Sequence, residues 1–337
     1  MLIFWIFVFI VSLILLVKGA DWLVESSEKI GLILKISPFI IGITIVAVGT
    51  SFPELAASLA AVLKGASEIV IANVIGSNIA NILLIVGLST VVARKLAVRR
   101  SLIDIDLPLL ASTTVLFAFI LWGKDKREVV WQEGLLLLFA FFIYLFYTIS
   151  QRKAESEKPL PGGGMVPEEI ETVLPSRIER RRVKKPIEKL NFKVFFFLIL
   201  GIVCLVIGAN YLIDSISVLS GILKIKISII AILGVAIGTS LPELVVSVRA
   251  AAKKKYEIAL GNIFGSNVFN LLGIMGLSAL IKPLSVDEST FEVGFPFMVV
   301  ATLLLVISGI TRRISAWEGA MFLLIYVLFV VKLFGIF

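Results

Sequence analysis

Long apolar blocks alternate with short polar connectors along the whole chain. Ten blocks stand out, near residues 2–18, 38–63, 69–93, 103–122, 130–149, 194–210, 227–252, 257–281, 292–310 and 317–336. Most reach the roughly 18 to 20 residues that a helix needs to cross about 30 Å of hydrocarbon. Barrel strands are excluded, because they run to about 9 to 11 residues and alternate in polarity. The pattern therefore predicts an all-α polytopic membrane protein. The first block, opening MLIFWIF, has no basic residues before it and is too long for a signal-peptide core. It reads as a retained spanning helix.

The pattern also repeats. GTSFPELAASLAA from Gly49 matches GTSLPELVVSVRAA from Gly238, and ANVIGSNIANILLIVGLS from Ala72 matches GNIFGSNVFNLLGIMGLS from Gly261. Glu54 and Glu243, Asn73 and Asn262, Ser77 and Ser266, and Asn81 and Asn270 all lie 189 positions apart. The halves are residues 1–149 and 194–337, each with five blocks. An odd number of spans per half forces the second half into the membrane with opposite orientation. With both termini outside, most of the 32 Lys and Arg fall on the inner side, among them Arg94, Lys95, Arg99, Arg100, Lys253, Lys254, Lys255, Arg312 and Arg313. That bias follows the positive-inside rule. The expected architecture is ten transmembrane helices as two inverted five-helix repeats, a plan used by secondary transporters.

Composition narrows the chemistry. The chain is 59% hydrophobic and only 17% charged, against roughly 25% charged in soluble domains. Its net charge of +8 sits in the connectors, where it serves topology and argues against nucleic acid as a partner. With no His and only Cys204, zinc sites, an intrachain disulfide and His-based catalysis lack the residues they need. Residues 150–193 form a breaker-rich and basic linker, read as a cytoplasmic connector able to lie on anionic lipid.

Candidate chemistry sits in the second and third blocks of each half, which Gly, Pro, Ser and Asn interrupt. Glu54 and Glu243 lie deep in apolar spans, each directly after a proline. A carboxylate at that depth costs several kcal/mol on insertion scales and reads as functional. The proline removes a backbone donor and frees a carbonyl about one turn earlier, among Val48 to Ser51 and Ile237 to Ser240. Carbonyls, Thr and Ser hydroxyls and a carboxylate make a hard-oxygen set suited to Na⁺ or Ca²⁺. Asn73, Ser77 and Asn81 recur at spacing four on one helix face, and Asn262, Ser266 and Asn270 repeat it.

GTSxPEL followed by GNxxGSNxxN, twice and in inverted halves, resembles the alpha repeats of the sodium/calcium exchanger family. The resemblance implies a single central site and alternating access. It carries ion binding to Thr50, Ser51, Glu54, Ser77 and Asn81, to Thr239, Ser240, Glu243, Ser266 and Asn270, and to the carbonyls of Ala47 and Ala236. Two positions depart from the motif: Ala72 stands where Gly is usual, a packing change, and Asn270 stands where potassium-dependent relatives carry Asp. Two carboxylates and not three imply potassium-independent exchange. The function expected is Na⁺/Ca²⁺ antiport, with Ca²⁺/H⁺ antiport through the same glutamates as the alternative. A channel and an intramembrane enzyme fit less well, the latter for want of a nucleophile–base pair. No cofactor and no obligatory protein partner are expected. The partners are the two ions and the bilayer, and the location expected is a prokaryotic plasma membrane.

Overall fold

The computed structural model describes residues 1–33, 49–97, 106–121, 127–157, 192–254 and 256–336. Helix follows helix: α1 (Leu2–Ile33), α2 (Phe52–Leu63), α3 (Ser67–Ala93), α4 (Leu107–Leu121), α5 (Trp131–Glu157), α6 (Phe192–Leu223), α7 (Ile227–Thr239), α8 (Leu241–Ala252), α9 (residues 256–281), α10 (Thr290–Ile310) and α11 (Ala316–Leu333). Seven of them, α1, α3, α5, α6, α9, α10 and α11, are long and apolar enough to cross a bilayer. The pair α7 and α8, bent by 48°, makes an eighth if counted as one span. Shorter apolar helices α2 and α4 stand at the second and fourth expected spans. Residues 34–48, which hold most of the rest of the second span, lie outside the described residues. So does most of the linker, from 158 to 191. The protein is an all-α multi-pass membrane protein.

α1 and α6 run well past the expected 2–18 and 194–210, to 32 residues each. At about 1.5 Å per residue each is about 48 Å long, more than the hydrocarbon needs. Neither continuation, KGADWLVES nor IGANYLIDS, contains a proline to stop it. In α1 the pairs Lys18–Asp21 and Glu25–Lys29 bridge successive turns at 3.4 and 3.1 Å.

Short strands in the connectors tie the halves together. β1 (Lys95–Ala97) pairs antiparallel with β4 (Arg313–Ser315), Leu96 opposite Ile314. β2 (Glu128–Val129) pairs with β3 (Leu284–Ser285), Val129 opposite Leu284. Each strand that follows the third span of one half therefore meets the strand between the fourth and fifth spans of the other. Glycines repeat this crosswise contact. A Cβ on Gly87 or Gly319 would meet the other's carbonyl oxygen at 3.0 or 2.9 Å, and Gly134 and Gly276 stand likewise at 2.9 and 3.0 Å. Close backbone approach of this kind is how small residues pack membrane helices.

α3 and α9 are almost wholly buried, whereas α1, α5, α6 and α11 turn most of their surface outward. Outward Phe, Ile, Leu and Val on those four helices suit lipid contact. Both central helices widen into π-helix, over Ala80–Val86 and Phe269–Ile274. Such bulges recur at functional sites. α7 carries a third over Ala231–Val235.

Before α10, Asp287 acts as a cap. It accepts the Ser289 and Thr290 amides and the hydroxyls of Ser289, Thr290 and Ser228, the last at 2.8 Å. Partial burial pushes its carboxyl up, but these hydrogen bonds outweigh burial and hold it below the ordinary value. The stabilisation is present above the unfolded value and lost as pH falls through the folded one. Asp287→Asn should therefore lower the melting temperature in detergent at pH 7. The gap should begin to narrow below about pH 4, where the unfolded carboxyl takes up its proton, and vanish once pH has fallen through the lower folded value.

Gly76 of α3 abuts α7, so that an added Cβ would lie 2.3 Å from the Ile232 carbonyl oxygen. Gly261 has nothing within 4 Å, although its repeat counterpart is Ala72. Gly76→Ala should cost about 1–3 kcal/mol by overpacking and lower the yield of monodisperse protein. Gly261→Ala should be nearly neutral in the same gel-filtration assay.

Candidate ion-binding site

Glu54 and Glu243 each sit in the first turn of a helix, α2 and α8, with a proline directly before them. Pro53 and Pro242 offer no N–H to the carbonyls of Gly49 and Gly238, four residues back. Here both helices start anew, with Ser51 and Ser240 at their N-caps. A helix N-terminus favours a carboxylate in its first turn. Both glutamates are fully buried, and so are Ser51, Thr239, Ser77, Ser266, Asn81 and Asn270.

The hydroxyls serve the opposite repeat. Ser51 Oγ donates to Glu243 Oε1 at 2.9 Å, and Ser240 Oγ donates to Glu54 Oε1 at 2.9 Å. Ser266 Oγ, from the same repeat as Glu243, adds a second donor to Glu243 Oε1 at 3.2 Å. Thr50 donates to Asn262 Oδ1 at 3.3 Å, and Thr239 to Val235 O of its own helix at 3.0 Å. The Ala236 carbonyl accepts the Ser240 amide at 3.0 Å and, more weakly, the Thr239 hydroxyl at 3.4 Å, so an ion there would displace the weaker bond. Ala47 lies outside the described residues.

Two further asparagines complete the centre. Asn81 Nδ2 donates to Asn267 Oδ1 at 3.0 Å, and Asn270 Nδ2 to Asn78 Oδ1 at 3.1 Å. Asn78 Nδ2 also reaches the Asn267 carbonyl at 3.2 Å. The first two bonds are equivalent under the 189-residue offset, so four amides interlock the repeats. Asn78 and Asn267 were not among the candidates from sequence. The signal was present, since both belong to the repeated GSN, but spacing four from Asn73 and Ser77 drew attention to another face. Asn73 and Asn262 themselves do not reach the carboxylates. They bond Ser58 at 3.5 Å and Ser247 at 3.1 Å.

Glu54 Oε2, Glu243 Oε2, Ser77 Oγ, Asn81 Oδ1 and Asn270 Oδ1 are buried and accept no hydrogen bond from the protein. Buried oxygens are normally satisfied. A set of them around two carboxylates is what a hard cation requires. Among the described residues no third carboxylate, His or Cys joins them. Two negative charges balance one divalent ion or two monovalent ones.

A family model described as sodium/calcium exchanger protein matches residues 4–150 and 193–335, which is both halves without the linker. The chain belongs to that family. It is 36% identical over 353 residues to the sodium/calcium exchanger MaX1 of Methanosarcina acetivorans, covering 98% of each chain. It is 32% identical over 297 residues to the inner membrane protein YrbG of Escherichia coli, covering 88% of this chain and 85% of that one. Among solved structures, the sodium-calcium exchanger NCX_Mj superposes with a TM-score of 0.61 at 30% identity, covering 99% of this chain and 100% of its own. The protein is thus a transmembrane exchanger of the sodium- and calcium-transporting kind, and its family is one of transporters, not enzymes.

In this exchanger Asn78 and Asn267 hold the amide nitrogens of Asn270 and Asn81, whose oxygens are left without a protein partner. Asn78→Ala or Asn267→Ala should weaken ⁴⁵Ca²⁺ binding to purified protein about fivefold to tenfold, the worth of one neutral amide–amide hydrogen bond. Unchanged binding in both variants would refute that role.

Proposed function

We propose that the protein exchanges Na⁺ for Ca²⁺ across a prokaryotic plasma membrane by alternating access, through ten spans in two inverted repeats with both termini outside. Support for the topology comes from the crosswise strand pairs. If every span crosses, β1 can meet β4, and β2 meet β3, only when the halves are inverted. The observation that carries the mechanism is the glutamate pair with one unpartnered oxygen each, embraced by hydroxyls of the opposite repeat.

One Ca²⁺ neutralises both carboxylates. Sodium must satisfy the same two charges, with any further Na⁺ held by Thr50, Ser51, Ser77, Thr239, Ser240, Ser266 and the Ala47 and Ala236 carbonyls. Shared ligands make the two ions compete, and competition is what turns transport into exchange. Three Na⁺ per Ca²⁺ would move one net positive charge per cycle. Crossing with neither ion would leave two buried charges uncompensated, which is strongly disfavoured. Asn270 adds an amide and no third charge, so potassium is not co-transported. The unpartnered carboxylate oxygens also fit a proton in place of sodium, which keeps Ca²⁺/H⁺ antiport as the second reading.

The deciding experiment is ⁴⁵Ca²⁺ uptake into sodium-loaded proteoliposomes with and without an outward Na⁺ gradient. Gradient-driven uptake should fall more than 100-fold in Glu54→Gln and in Glu243→Gln, and added potassium should not stimulate it. Uptake that ignores sodium but follows a proton gradient would move the protein to the second reading.

A further inference from the structure

The two repeats differ at several matched contacts, Ser266 and Ser77 among them, and one set joins helices across the repeat boundary. Thr50 donates to Asn262 Oδ1 across the repeat boundary at 3.3 Å. Asn262 Nδ2 donates to Ser247 Oγ at 3.1 Å, and Ser247 to the Ala259 carbonyl at 3.2 Å. The equivalents at the 189-residue offset are Thr239, Asn73 and Ser58. Asn73 Nδ2 still reaches Ser58 Oγ, at 3.5 Å. The threonine contact is missing, however. Thr239 donates to Val235 O of its own helix, and Asn73 Oδ1 is buried with no partner. A buried amide oxygen without a donor is disfavoured, and a conformation in which a donor reaches it relieves that cost. α7, which carries Thr239, already packs against α3, which carries Asn73.

The two places lie toward opposite ends of the molecule. α3 starts beside β3, where Ser67 Oγ and Ser285 Oγ are 3.0 Å apart, so Asn73 is toward the β2–β3 end. α9 finishes just before β3, so Asn262, near its start, is toward the β1–β4 end. A cavity of about 420 Å³ opens at the β2–β3 end, lined by Glu68, Lys226, Ser228, Ser285 and Asp287. The formed contact is thus at the end away from this cavity, and the unformed one is at the same end as it.

We propose that Asn262 and Asn73 are positioning residues that act in turn. Asn262 holds Thr50 and ties α9 to the start of α2 while the β2–β3 end is open. Asn73 takes the Thr239 hydroxyl, tying α3 to α7, when the β1–β4 end opens. Each bond fixes an ion-facing threonine and closes its own side in the same act. The proposal rests on the alternating-access reading above and adds the residues that hold each state.

The test uses the full chain in detergent with Cys204→Ser and Glu68→Cys, which places one thiol in the cavity wall. The rate of maleimide labelling reports how often that end is open, whichever ion is coupled to calcium. Asn262→Ala should slow labelling about threefold to tenfold, the population shift of one hydrogen bond. Asn262→Asp, which keeps an acceptor for Thr50, should stay near the parent rate. Thr50→Val added to Asn262→Ala should change nothing more, whereas Thr239→Val added to it should restore labelling. Equal rates in parent and Asn262→Ala, slowing by Asn73→Ala as well, or additivity with Thr50→Val would overturn the proposal. A parent whose calcium flux ignores sodium would sink the sodium reading while leaving this test in force.

Discussion

Two carboxylates with no contact to solvent govern this structure. Glu54 and Glu243 are fully buried, and among the described residues no ion pair reaches either. A charge so placed is tolerated only with compensation at short range. Each carboxylate stands in the first turn of a helix that starts at a proline, where the helix dipole favours negative charge. A serine hydroxyl satisfies one oxygen of each, and the second oxygen has no protein donor. The two most buried helices, α3 and α9, then surround the pair with amides and hydroxyls that present unpartnered oxygens. An apolar outer ring of α1, α5, α6 and α11 keeps that polar centre away from lipid.

Neither repeat contains a complete site. Ser51 serves Glu243 and Ser240 serves Glu54, while Asn81 and Asn270 are each held by an asparagine of the other half. Any movement of one half against the other must therefore change the ligand set of both carboxylates. Such coupling is what an exchanger needs, because the same displacement that opens one side remakes the shell around the ion. The crosswise glycine contacts and strand pairs place the rigid connections at the two ends, away from the centre that has to adjust.

Much of this was legible in the residues alone. Block length established the membrane, the 189-residue offset established the duplication, and proline beside glutamate at membrane depth marked the centre. The offset would have revealed Asn78 and Asn267 too. Helical spacing instead favoured Asn73, which sits on the face of Ser77 but one turn too far from the carboxylates to join them. Asn81 lies inside the stretch that widens to π-helix from Ala80, and one extra residue per turn rotates the face that follows. No spacing rule anticipates that shift.

The sequence by itself determined the apolar spans, their internal repeat and the hard-oxygen chemistry of the centre, because each depends on composition and local order along the chain. The tertiary structure decided which hydroxyl meets which carboxylate, the pairing of four asparagines across the halves and the asymmetry between Thr50 and Thr239. Those depend on how two halves carrying the same motifs face each other. Periodicity says which side of a helix is polar, and it carries no information about what stands opposite.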